Sequence, residues 1–212
     1  MVPETNQEET YEKVGKETIS EFMNGFNATV FAYGQSGSGK TFSMVGPNEI
    51  NEPLSLDFHL IPSNIQQLFG IIPRATLQMF RTINQFIQKG YEYQINCSYI
   101  EIYMEEITCL LSQKTKLKIK EFPNGSVEIE GKEKVITNTP EVKTIKLTKQ
   151  DIFKVIATGT KHKTMGSTKQ NERSSRSHTI LIVEITSKSI DGTQKRSKLS
   201  LIDLCGSEKV IL

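Results

Sequence analysis

Phe31-Ala32-Tyr33-Gly34-Gln35-Ser36-Gly37-Ser38-Gly39-Lys40-Thr41 is the stretch that decides the fold. The segment before it, residues 27–33, is rich in β-branched and aromatic side chains and reads as a buried strand. Gly34, Gly37 and Gly39 then free the backbone to curl, so that several N–H groups converge on one point. A helix beginning near Lys40 would add its positive end. Gly34 to Thr41 fit G-x-x-x-x-G-K-[ST], the loop that cradles the phosphates of a nucleoside triphosphate between a strand and a helix. Lys40 would reach the β- and γ-phosphates, and the Thr41 hydroxyl would ligate Mg²⁺. A flexible Gly/Ser surface loop has no use for Lys-Thr at this spacing.

Working outward, residues 8–24 carry apolar side chains at Tyr11, Val14, Ile19, Phe22 and Met23, an amphipathic helix ahead of the strand. Residues 46–64, with Pro53 and Pro62, read as a loop insertion. Residues 65–89 resume a helical pattern interrupted at 70–74, where Pro73 suits a first helical turn. Residues 91–103 form a long strand whose odd positions, from Tyr91 to Tyr103, share a face. Residues 116–137 read as a hairpin turning at Pro123-Asn124-Gly125. A helix is predicted over 148–158, capped by Thr148 and ended by Gly159, followed by a basic loop over 161–176. Strands at 178–187 and 198–204 are joined by a turn at Asp191-Gly192. The expected fold is α/β: a P-loop NTPase with a central mixed, mostly parallel sheet flanked by helices on both faces.

Two further segments face phosphate chemistry. Residues 199–203 are an apolar strand ending in Asp203, with Gly206 close behind. A carboxylate there would hold Mg²⁺, usually through water, and a glycine N–H can approach a γ-phosphate. Residues 171–178 (Asn-Glu-Arg-Ser-Ser-Arg-Ser-His) concentrate hydroxyls and guanidinium groups, which can ligate Mg²⁺ or pair with a carboxylate. Either segment alone has a plain reading, as a strand stopped by a turn or a solvated basic loop.

The bulk numbers agree with one α/β domain. There are 212 residues, 36% of them hydrophobic, enough for one sizeable core. A net charge of +2 does not suggest a nucleic-acid binder, and no apolar run reaches a membrane span. The polar, acidic N-terminal segment is not a signal or transit peptide. Cys97, Cys109 and Cys205 lack metal-ligand spacing and read as buried thiols of a reducing compartment, with no structural zinc.

Taken together, the three segments resemble the kinesin motor domain. Gly34–Thr41 match its phosphate loop, residues 171–178 its first switch, N-x-x-S-S-R-S-H, and residues 203–208 its second, D-[LI]-[AC]-G-S-E. Residues 25–33, 70–74 and 98–103 add supporting matches, and the similarity runs from about Gln7 to Lys209. The resemblance implies roles. Gln35, Ser36, Gly37, Ser38, Gly39, Lys40, Thr41 and Phe42 would bind ATP, with Phe42 stacking on the base. Thr41, Ser175 and Asp203 would hold Mg²⁺, Gly206 would sense the γ-phosphate, and Arg176 and Glu208 would form a salt bridge closing the switches. It also implies microtubule-stimulated ATP hydrolysis, microtubule-based movement, a cytoplasmic cytoskeletal location, and dimerisation through a coiled coil not in this chain.

The chain departs from the family in lacking the first strand with its Arg-x-Arg-Pro segment and the microtubule-binding helices and neck. Residues 1–212 are therefore expected to be a partial motor domain of low stability in isolation. Met104, Cys109 and Gln170 differ from the family's usual Asn, Asp and Met and read as drift. Lys114, Lys116, Lys118 and Lys120 alternate on one face of a strand and could dock on acidic tubulin or simply guard a sheet edge. Lys161, Lys163, Lys169 and Arg173 could form a phosphate-side field or a solvated loop. His59 and His162 read as surface residues, and His178 as structural. The competing readings are a non-motile, nucleotide-gated microtubule-binding module and a small phosphate-loop kinase or GTPase. Directionality, cargo and subfamily are not written in these residues.

Overall fold

A computed structural model describes residues 5–47, 61–125, 127–132, 135–138, 149–167 and 176–208. The chain opens with two short helices, α1 (Gln7–Val14) and α2 (Lys16–Met23), rather than one. Asn6 caps α1 by accepting from the Glu9 N–H. Gly15 joins the two helices because the Tyr11 ring lies against it: a Cβ there would sit 2.4 Å from that ring. Strand β1 (Ala28–Ala32) follows, then the glycine loop and α3 (Lys40–Met44). The interrupted helical pattern resolves into α4 (Ser63–Gln67) and α5 (Ile71–Ile87), with Pro73 in the first turn of α5 as expected. The apolar face of α5 buries Ile72, Ala75, Met79, Phe80 and Ile83. The proposed loop insertion falls mostly, and His59 entirely, outside the described residues.

The rest of the chain is mainly strand. β2 (Glu92–Tyr103) and β3 (Glu106–Cys109) form a hairpin, β4 (Lys118–Glu121) and β5 (Val127–Glu130) a second, and β6 (Val135–Asn138) pairs back to β2. Helix α6 (Lys149–Ser167) then leads to β7 (His178–Lys188) and β8 (Gln194–Asp203). The main sheet has the order β1-β8-β7-β2-β3, with β6 beside β3 on β2.

The mixed sheet is as expected, but among the described residues parallel pairing is in the minority. β1 runs parallel to β8, whereas the β7–β8, β2–β7, β2–β3 and β2–β6 ladders are antiparallel. The cause is local. The turn at Asp191-Gly192 is closed by Ser189 N donating to Thr193 O at 2.9 Å and by the Asp191 carboxylate accepting from Thr193 N at 3.0 Å. So short a connection can join only antiparallel strands. At the β2–β3 turn, Met104 and Glu105 both have positive φ, 47° and 64°, the geometry of a two-residue hairpin turn.

The helical cover is also one-sided among the described residues. On one face, Val30, Leu199, Leu201, Leu181, Val183 and Tyr93–Tyr99 odd positions pack under α2, α3, α5 and α6 into the main core, with Phe22, Phe80 and Phe153 fully buried. The opposite face holds only a small cluster of Ile100, Ile107 and Ile182 with Leu117 and Ile129 beneath the second hairpin. Phe31, on that face of β1, is 61% exposed. Helices on both faces are therefore not seen within the described residues.

Helix α6 runs through Gly159 instead of ending there, and much of the expected basic loop is its continuation. Gly159 serves close packing: a Cβ on it would lie 2.0 Å from Cδ1 of Tyr99. Thr148, its expected cap, lies outside the described residues. The lysine row is shorter than predicted, since only Lys118 and Lys120 lie in β4, and Lys116 takes a positive φ of 56°. Leu117 packs inward, but Ile119 is exposed, because this small hairpin has little beneath it. Cys97 and Cys109 are buried, and Cys205 is half-buried. His162 is half-buried rather than on the surface, its Nδ1 2.6 Å from the Leu110 carbonyl.

Candidate phosphate and metal site

The site forms where the C-terminal ends of β1 and β8, the parallel pair, meet. The register sets Ala32 beside Asp203, so the loop leaving β1 and the carboxylate ending β8 share one end of the sheet. Leu204 N donates to Ala32 O at 3.4 Å and Ser207 N to Gly34 O at 3.0 Å, tying the following segment to the glycine loop. Gly34, Gly37 and Gly39 have φ values of +156°, +75° and +85°; the latter two need glycine. A Cβ at Gly37 or Gly39 would meet no atom within 4 Å.

Lys40 heads α3 and folds back on the loop. Its Nζ donates to Gly34 O at 3.0 Å and Gln35 O at 2.8 Å. Thr41 Oγ1 donates to Asp203 Oδ2 at 2.6 Å, joining the loop's last hydroxyl to the strand-end carboxylate. Asp203 is 4% exposed. Its Oδ2 also accepts from Lys163 Nζ at 3.2 Å, while Oδ1 is buried without a hydrogen-bond partner among the described residues. A buried, unpaired carboxylate oxygen carries a desolvation cost that a cation or its water would remove. The oxygen-only set of Thr41 and Asp203 has the hard-ligand chemistry that suits Mg²⁺. These residues fit that ion.

Gly206 stands against the loop, where a Cβ would lie 2.5 Å from Ser36 Oγ. The Glu208 carboxylate accepts from Ser36 N at 2.8 Å and from the Ser36 hydroxyl. Those hydrogen bonds hold its pKa below the ordinary glutamate value. The contact is positional: Ser207 N on Gly34 O brings the next residue onto the loop amides. Arg176 is exposed at the start of the segment leading into β7 and has contacts of its own. Ser177 is buried with its hydroxyl unpaired among the described residues, and His178 Nδ1 accepts from Cys205 N at 3.1 Å. Phe42 is 49% exposed beside the loop. Ser175, with residues 171–174, lies outside the described residues.

Of the two readings of Lys163, a phosphate-side field or a solvated loop, the structure favours the first: Lys163 is a half-buried partner of Asp203, with its side chain 13% exposed. The signal was available. Once α6 continues past Gly159, Phe153, Ile156, Thr160 and Lys163 recur at helical spacing on the buried face. Tyr99 was likewise read only as a face-forming residue, yet its hydroxyl bonds Thr160 and Thr179 behind this pair.

A glycine loop between a strand and a helix, answered by a strand-end carboxylate, defines the phosphate-loop nucleotide-binding class. The particular family follows from comparison with known proteins. The sequence profile of the kinesin motor domain matches residues 1–211. Kinesin-related protein 5 of Dictyostelium discoideum is 42% identical over 99% of this chain, which spans 19% of that protein. The kinesin heavy chain of Strongylocentrotus purpuratus is 36% identical over 98% of the chain, which spans 18% of it. A solved structure described as a fast kinesin, with implications for ATPase mechanism and interactions with microtubules, superimposes with a TM-score of 0.81. It shares 33% identity over 98% of this chain and 52% of that one. The chain belongs to the kinesin motor-domain family. No described helix is long and apolar enough to cross a membrane.

Proposed function

We propose that residues 1–212 are the nucleotide-handling part of an ATP-driven microtubule motor that binds and hydrolyses MgATP. The observation that carries the reading is the bond from Thr41 to Asp203 at the mouth of the glycine loop, beside Asp203 Oδ1, which has no hydrogen-bond partner among the described residues. Gln35 through Phe42 would hold ATP, and Thr41, Asp203 and Ser175 would hold Mg²⁺. When bound, that ion supplies charge neutralisation between the phosphates.

The chain's own residues do the rest. Lys40 exchanges the Gly34 and Gln35 carbonyls for phosphate oxygens, a neutral pair of acceptors for charged ones. Gly206, lacking a Cβ, lets its N–H approach the phosphate end of the loop. Glu208, on Ser36 in this conformation, becomes available to Arg176 when the loops close around a nucleotide. Closure is then what changes microtubule affinity. A cytoplasmic, microtubule-associated location and dimerisation through other segments belong to the same reading.

One observation favours a second reading, a nucleotide-gated module that does not step: Glu208 is engaged by the loop at Ser36. Phosphate release from MgATP, with and without microtubules, beside Lys40→Ala, separates the two. Microtubule-stimulated release abolished by Lys40→Ala supports the motor reading. Nucleotide-dependent microtubule binding without release supports the gated module. ATP bound equally by wild type and Lys40→Ala would overturn both.

A further inference from the structure

Among the described residues, Lys163 is a cation beside the site that the proposed function does not use. Lys163 comes from the last part of α6, and its Nζ lies 3.2 Å from Asp203 Oδ2 and 3.4 Å from Thr179 Oγ1. Both partners of the pair are shielded, at 13% and 6% side-chain exposure. The ammonium is not placed by chance. Thr179 is the register partner of Asp203 across the β7–β8 ladder. The Tyr99 hydroxyl bonds both Thr179 and Thr160, and Thr160 Oγ1 donates to Ile156 O at 2.8 Å inside α6. A buried polar chain therefore runs from the core strand β2 to the carboxylate.

The two oxygens of Asp203 are used differently. Oδ2 accepts both Thr41 and Lys163, whereas Oδ1 is buried with no hydrogen-bond partner among the described residues. A divalent ion brought to Thr41 and Asp203 would use Oδ1, directly or through water, with Lys163 remaining on Oδ2. Two cations would then share one carboxylate in a region of low dielectric, where like charges repel strongly. We propose that Lys163 is a positioning residue that sets metal affinity at this site, weakening the hold of Asp203 on a divalent ion and steadying Asp203 when the ion has left. This rests on the reading of Thr41 and Asp203 as metal-holding residues.

The consequence concerns release. A site whose carboxylate is already half-neutralised lets its metal go more readily than one whose carboxylate is bare. Removing the ammonium should tighten metal binding and, in the same protein, lower the stability of the metal-free state, because a buried carboxylate loses its partner. A residue that merely holds the fold together would give the second effect without the first.

The test is Mn²⁺ binding to the ADP-mixed chain, followed by electron paramagnetic resonance, in wild type, Lys163→Met, Lys163→Gln, Lys163→Arg and Asp203→Asn. Lys163→Gln keeps a donor for Asp203 without the charge, so it carries the measurement should Lys163→Met fail to fold. The expected result is Mn²⁺ bound about tenfold more tightly by the Met and Gln variants, with Arg within about twofold of wild type. Thermal melts should show a lower metal-free midpoint for the neutral variants and a larger rise on adding Mn²⁺ than in wild type. Unchanged or weaker Mn²⁺ binding in folded Lys163→Gln, with binding lost in Asp203→Asn, overturns the inference alone. Equal binding by Asp203→Asn and wild type overturns the metal-site reading and the inference together.

Discussion

The two faces of the central sheet have the same strands and different fates. One lies under α2, α3, α5 and α6 and contains nearly all the fully buried side chains. The other carries a small isoleucine cluster beneath the β4–β5 hairpin and an exposed phenylalanine on β1. Alternation along each strand separates the two sets of side chains, but burial is a property of what lies above them. The covered face is also the one that carries chemistry: Asp203, Thr179 and Tyr99 share its parity along their strands. Rigid packing is thereby placed directly behind the carboxylate that the proposed site needs.

The sharpest way to break this contrast is a truncation in the covered layer. Phe153 is fully buried in α6, 6.1 Å from the Phe69 ring. Phe153→Ala should cost about 3–5 kcal/mol in urea unfolding, a large share of a domain's stability. A loss below ~1 kcal/mol would mean the helical layer is not packed as described.

Alkali offers the next largest effect. Burial raises the Tyr99 and Tyr93 hydroxyls from 10.0 to about 12. The folded state therefore keeps protons that the unfolded state gives up above pH 10. The tyrosine contribution should be complete below pH 10 and be lost between about pH 10 and 12, by roughly 2–3 kcal/mol for Tyr99, on top of a loss that starts near pH 9 because burial raises the Cys97 thiol from 9.0 to about 12. Urea midpoints followed across that range check the sign; a midpoint that climbs with pH would refute it.

Gly159→Ala sets two effects against each other. Alanine in a helix interior gains about 1 kcal/mol over glycine, but the added methyl meets the Tyr99 ring, and overpacking costs about 1–3 kcal/mol. Tyr99 is held by Thr160 and Thr179 and cannot swing aside freely, so net destabilisation is expected. A stabilised variant would show that α6 can lift from the sheet.

Outside both layers, Met104 is 70% exposed at φ 47°, a conformation that asparagine tolerates better. Met104→Asn should raise stability by about 0.5–1 kcal/mol in thermal melts, and a neutral result would mean the turn relaxes around methionine. On the open face, Phe31→Ser should move stability by no more than ~0.5 kcal/mol. A loss as large as that of Phe153→Ala would reveal cover on that face that the described residues do not supply.

Much of this was legible in the residues. The glycine loop, the strand before it, β2 with its buried odd positions and the β7–β8 hairpin all rest on short-range patterns, and the structure keeps them. Sheet direction was not, although the Asp191-Gly192 turn already demanded antiparallel neighbours. The Gly34–Thr41 motif points toward parallel folds, but the short Asp191-Gly192 turn sets the direction of the strands that it joins. Gly159 misled for a different reason. A glycine near a helix end suggests a stop, but a glycine facing a tyrosine ring is a packing choice, and only the tertiary partner tells them apart. That one error hid Lys163 in a loop. The Glu208 contact with Ser36 joins segments far apart in the chain, and no local pattern announces it.

The proposed site is split between distant parts of the chain, Thr41 and Asp203 being 162 residues apart. A ribosome adding about 5–20 residues per second needs on the order of ten to thirty seconds to cross that interval. Throughout it, β1 has been made but β8, its ladder partner, has not. The order of synthesis thus puts the glycine loop well ahead of its carboxylate. The β1 edge that β8 fills must be kept from other chains until β8 arrives.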